Sequence, residues 1–107
     1  MTTFNDRKDA FESKFAHDEE LRFRATARRN RLLGLWAAAQ LGQSGSDADA
    51  YAKSVVTASL GGAGDDPVLR KVRNDLEAGG RGVPEDELRR TMSELLARAV
   101  EEVQAGR

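Results

Sequence analysis

From Phe4 to Gly42 the chain carries no proline, and the first glycine inside that stretch is Gly34. No other feature constrains the fold as strongly. Such a run reads at 3.6 residues per turn as one long helix, or as two helices joined end to end. It holds all four phenylalanines, the single tryptophan and the single histidine. Its apolar face shifts partway along. Phe4, Phe11 and Phe15 fall within roughly 40° of one another on a helical wheel, whereas Leu21, Ala25, Leu32, Trp36 and Ala39 form a second stripe displaced by roughly 80°. A straight helix cannot press both stripes into one groove. The second stripe is therefore assigned to the chain's own core, and the phenylalanine stripe to something else.

The rest of the sequence fits an all-α domain. Strand signals are missing, since no alternating β-branched run and no hairpin dipeptide between two such runs occurs. The long segment starts near Thr3 or Asn5, either of which can cap a helix, and Gly42 ends it. Ser46 and Asp49 form an approximate capping box for a second helix to about Leu60, with Ala48, Tyr51, Ala52, Val55, Val56 and Leu60 on its apolar face. Asp65-Asp66-Pro67 places acidic groups and a proline at the start of a third helix, with Val68, Leu69, Val72 and Leu76 inward and Gly79-Gly80 as the stop. Pro84 followed by Glu85, Asp86 and Glu87 opens a fourth by the same chemistry, with Leu88, Met92, Leu95, Leu96, Ala99 and Val103 inward. Loops of about four to six residues make these helices antiparallel neighbours in a small four-helix bundle.

At 107 residues the chain supports one domain with a modest core. Charged residues make up 33% and mean hydropathy is −0.60, so part of the chain lacks the apolar surface that offsets ordering entropy. The charge-dense first half of the long helix, with three phenylalanines on one face, is expected to be mobile without a partner. Cysteine is absent, which excludes disulfides, thiolate metal sites and a cysteine nucleophile. No run reaches membrane-spanning length and MTTFNDRKDA lacks a signal-peptide core, so a soluble intracellular protein without membrane insertion is expected. Net charge is −1, which argues against a nucleic-acid binder. Residues 1–42 balance at +2 and residues 43–107 at −3, which suits a partner surface of mixed sign.

Catalytic signatures do not occur. His17 beside Asp18, Glu19 and Glu20 lacks further nitrogen or sulfur ligands for a metal site and reads as an exposed or half-packed histidine. Gly61-Gly62-Ala63-Gly64 lacks a preceding strand and a following Gly-Lys-Ser/Thr, and Asp65-Asp66 would repel a phosphate from the next helix start. Arg22, Arg24, Arg28, Arg29 and Arg31 form a basic cluster, read as a solvated face with intrahelical pairing rather than a phosphate site. There is no serine elbow, no His-Glu-x-x-His and no calcium loop, so the chain reads as a non-enzyme. Phe4, Phe11 and Phe15, with basic residues alongside, have the form of a helix-in-groove ligand. Periodicity alone leaves open that they extend the bundle core.

The segments FNDRKDAFESKFAHDEELRFRATARRNRLLGLWAA, DAYAKSVV, VLRKVRNDLEAGG and ELRRTMSELLARAVEEV resemble the zeta subunit, the intrinsic ATPase inhibitor of alphaproteobacterial F-type ATP synthases. The resemblance covers nearly the whole chain and centres on ARRNRLLGLWAA. It departs at the linker TASLGGAGDDP and at Asn5, where an acidic residue is common in the family.

The resemblance implies a four-helix bundle over residues 21–107 and a mobile inhibitory segment over residues 1–20. That segment would enter the interface between catalytic α and β subunits, reach the γ rotor and block ATP hydrolysis. Phe4, Phe11 and Phe15 become its apolar anchors, and Arg7, Lys8 and Lys14 its orienting charges. The protein would be cytoplasmic, peripheral to the inner membrane through the ATP synthase, and a monomer when free. No cofactor is required, although the resemblance extends to weak ATP or ADP binding with Arg28, Arg29 and Trp36 as contacts. The rival reading is a helical-bundle adaptor or weak nucleotide-sensing module with little inhibitory activity.

Overall fold

The computed structural model describes residues 18–106. Four helices, α1 (Glu19–Gln40), α2 (Gly45–Ala58), α3 (Asp66–Ala78) and α4 (Glu85–Gln104), form the expected bundle, with a short 3₁₀ turn at Ser59–Gly61 after α2. The expected starts near Thr3 and Asn5 lie outside the described residues. Asp18 is extended (φ −110°, ψ 99°), and its carboxylate accepts a hydrogen bond from the Leu21 N–H at 3.0 Å. This satisfies one of the orphan donors of a helix start, so α1 begins here.

Gly42 ends α1 as anticipated, in the left-handed region (φ 77°). The Gln43 N–H donates to the Ala38 carbonyl at 2.8 Å and the Gly42 N–H to Ala39 at 3.1 Å. That is a Schellman motif, and only glycine enters it without strain. The motif recurs after α3, where Gly80 (φ 75°) takes the same place and the Arg81 N–H bonds back to Leu76 at 2.8 Å.

The main core joins Leu33 and Ala37 of α1, Val55 of α2, Val68, Leu69, Val72 and Leu76 of α3, and Leu88 and Met92 of α4. A second cluster joins Leu21 and Ala25 to Val100 and Val103 of α4, with Leu96 packed against it. The α3 positions are buried as the pattern predicts. So are Leu88, Met92, Ala99 and Val103, while Leu95 and Leu96 are half-buried and Val100 joins the core unannounced. Tyr51 ties α2 to α3: its hydroxyl donates to Asp75 at 2.9 Å. Lys71 pairs with the same carboxylate at 3.0 Å and lies 5.3 Å from the Tyr51 ring centroid. Burial, the bond to Asp75 and its charge, in that order, push the phenol well above its ordinary value.

Three expectations are corrected. The core stripe of α1 is not Leu21, Ala25, Leu32, Trp36 and Ala39, since Leu32 and Trp36 are half-buried and Ala39 is exposed. The buried row runs Leu21, Ala25, Arg29, Leu33, Ala37 and is widened by Asn30, Gly34 and Ala38. An i, i+4 row drifts by about 40° at each step, and α1 contacts all three other helices, so no single narrow stripe can serve it. The Ser46–Asp49 capping box does not form. Ser44 is the N-cap, without a side-chain bond, and Gly45 already opens α2. Gly45 has φ 58°, so the chain turns into the helix there and carries Ser46 past the cap position. Finally, Leu60 is not on the core face but 82% exposed, because the 3₁₀ turn rotates it off the α2 surface. The α2–α3 connection spans residues 59–65, longer than expected.

Candidate functional site

The amino-terminal end of α1 is where residues 1–17 join the bundle. Leu21 and Ala25 seat it on Val100 and Val103, near the carboxy-terminal end of α4. One turn further on, the Arg28 guanidinium donates to Glu102 at 3.2 Å, and Arg98 donates to the same carboxylate at 2.9 Å. Arg28 is therefore paired across helices.

The Arg98 hydrogen bond is the largest influence on Glu102; partial burial opposes it and the Arg28 bond reinforces it, so the carboxyl titrates below its ordinary 4.5. A depressed folded-state value means that the contribution to stability is fully present above the unfolded value and is lost as pH falls through the folded one. Glu102 is accordingly expected to titrate below 4.5 in an NMR pH series, with the stability gap between the parent and Glu102→Gln closing on acidification. A side-chain carboxyl titrating at or above the ordinary value would contradict this bridge.

Arg29 was expected on a solvated face, and the structure corrects this. It is 3% exposed, its Nε donates to the Asn30 Oδ1 at 2.8 Å, and its Nη2 meets Asp65 at 2.7 Å. Burying a guanidinium is costly unless it is paired and hydrogen-bonded; both conditions are met here. Asp65, at the start of α3, closes the glycine-rich connection onto α1. Arg22, Arg24 and Arg31 are exposed, as expected, whereas Trp36 is half-buried against the main core. Of the three candidate nucleotide contacts, Arg29 is thus turned inward onto Asp65 and Arg28 onto Glu102. The i, i+4 spacing of Arg29 with Ala25 and Leu33 is the sequence signal that could have placed it in the core.

Phe4, Arg7, Lys8, Phe11, Lys14, Phe15 and His17 lie outside the described residues. The remaining phenylalanine, Phe23, is 76% exposed on α1 and was not singled out by periodicity. Among the described residues, no cluster of His, Asp or Glu could hold a metal ion, and no helix is long and apolar enough to cross a membrane.

The architecture has a solved counterpart. A protein structure determined by NMR in solution superposes with a TM-score of 0.71 at 42% sequence identity, covering 81% of this chain and 99% of that one. No curated protein sequence matches the chain. The sequence model described as ATPase inhibitor subunit zeta matches residues 1–102. That span includes both the amino-terminal segment and all but the last turn of the bundle; the chain belongs to the ATPase inhibitor subunit zeta family.

Proposed function

We propose that this chain restrains ATP hydrolysis by the F-type ATP synthase by inserting residues 1–20, as a helix, at the interface of the α, β and γ subunits. The observation that carries the reading is the family match over residues 1–102, which takes in the segment as well as the bundle. The capped start of α1 supports it, because Asp18 and the Leu21–Val100 cluster give the bundle a defined edge from which the segment departs.

Inhibition of this kind requires no bond chemistry. The inhibitor has to bind one rotational state more tightly than the next, and the differential affinity sets how far it shifts the equilibrium. Phe4, Phe11 and Phe15 supply apolar anchors for a cleft. Arg7, Lys8 and Lys14 orient the segment and exclude wrongly charged surfaces. The bundle acts as the grip that stops the segment from being drawn through. Nucleotide binding is not part of this mechanism.

The test is the double substitution Phe11→Ala, Phe15→Ala. Half-inhibition of ATP hydrolysis by the catalytic sector is expected to need roughly a hundredfold more of the variant, as for loss of two aromatic anchors. The melting temperature of the bundle should be unchanged. An undiminished inhibition would overturn the assignment of the phenylalanine anchors and place the inhibitory surface on the bundle faces.

A further inference from the structure

We infer that Phe23 is an additional anchor for the catalytic-sector surface that grips the amino-terminal segment, so that the inhibitory contact continues onto the first turns of α1. The inference rests on the inhibitory reading above and extends it to a residue that periodicity left unassigned.

Three observations carry it. Phe23 is 76% exposed, and Leu60 at 82% is the other large apolar side chain so exposed among the described residues. Its exposure is imposed by the helix: Phe23 lies two residues from both Leu21 and Ala25, which bury against α4, and a two-residue step is about 200° of rotation. The bundle cannot recruit this ring without releasing the cluster that seats α1. The third observation is position. Phe23 follows the Asp18 cap by five residues, about 7.5 Å along the axis at helical rise. A partner large enough to enclose the inserted segment, residues 1–20, abuts this part of the helix.

The chemistry of the surroundings defines the partner surface. Arg22 and Arg24, both exposed, stand about 100° to either side of Phe23, and exposed Arg31 follows two turns later. Glu19 and Glu20 precede it in the first turn. The surface that fits is an apolar pocket rimmed by carboxylates beside the arginines, with a cationic group towards the segment side. Aromatic side chains are enriched where interfaces are driest, with arginine close behind. Leu60 lacks this setting. It sits on the connection between α2 and α3, after the 3₁₀ turn begins and away from the α1 start in sequence.

The experiment uses the full chain and the ATP synthase catalytic sector. Phe23→Ala, Phe11→Ala and Leu60→Ala are each titrated against ATP hydrolysis, and each melting temperature is measured. Phe23→Ala is expected to melt with the parent, because an exposed ring contributes little to folding. It should need at least roughly tenfold more protein for half-inhibition, with Leu60→Ala matching the parent. If Phe23→Ala inhibits like the parent while Phe11→Ala does not, the segment reading stands and the Phe23 anchor is overturned. If both inhibit like the parent, both readings fall. If Leu60→Ala loses as much as Phe23→Ala, position on α1 is not what matters and the inference is likewise overturned.

Discussion

Gly34→Val is expected to destabilise the bundle by about 3 kcal/mol, near the upper end for overpacking a tight core, and to lower its melting temperature by roughly 12–24 °C for a domain of this size. Gly34 lies on the buried face of α1. A Cβ atom there would stand 2.6 Å from the Ala52 Cα and 3.3 Å from a Val55 methyl. The nearer atom is backbone, which cannot swing aside. α1 and α2 would have to separate, and Val55 would withdraw from the main core it shares with Leu33 and Ala37. Gly34→Ala makes a sharper comparison. Alanine gains about 1 kcal/mol of helix propensity over glycine, so any net destabilisation by alanine measures the crossing itself. Thermal unfolding followed by circular dichroism decides it. An unchanged melting temperature for Gly34→Val would mean that the two helices do not cross at this closeness.

How far the sequence anticipated this fold depends on what each helix buries. In α3 the signals agree: Asp65-Asp66-Pro67 starts it, Gly79-Gly80 stops it, and Val68, Leu69, Val72 and Leu76 are all buried. Helix α4 follows its proline and acidic first turn in the same way. Helix α1 resists such a reading because its core row contains an arginine, an asparagine and a glycine. Hydrophobic periodicity treats Arg29 and Asn30 as surface, yet the pair becomes buriable once Arg29 has Asp65 and the Asn30 amide oxygen as partners. Asp65 is thirty-six residues away, so no local pattern discloses the match. Trp36 misleads in the opposite sense, being the most conspicuous apolar residue of α1 yet only half-buried. Leu60 and Ser46 failed for a local reason, since left-handed Gly45 and the 3₁₀ turn shift the ends of α2 relative to an ideal helix. For the site, the expected segment of residues 1–20 and its phenylalanine stripe lie, up to residue 17, outside the described residues. Phe23 was not legible, because its angular position matches neither stripe.

Removing residues 1–17 is expected to abolish inhibition while leaving the bundle folded. The boundary matters. Cutting after residue 20 would take away the Asp18 cap and the acidic first turn, and loss of a good N-cap costs about 1 kcal/mol. A chain beginning at Asp18 keeps the bond to the Leu21 N–H at 3.0 Å and keeps Leu21 and Ala25 seated on Val100 and Val103. Its two core clusters are built from residues 21–103, so its melting temperature should stay close to that of the parent. A loss of inhibition in that background cannot be ascribed to unfolding. The bundle alone retains Phe23 and its arginines, and on the inference above it should still associate weakly with the catalytic sector.

The decisive measurement is a titration of ATP hydrolysis by the F-type ATP synthase catalytic sector with the full chain and with residues 18–107. The account predicts that the full chain suppresses hydrolysis to saturation and that residues 18–107, though folded, leave it at the uninhibited rate. Equal inhibition by the two would contradict it, and would move the inhibitory surface from the amino-terminal segment to the bundle.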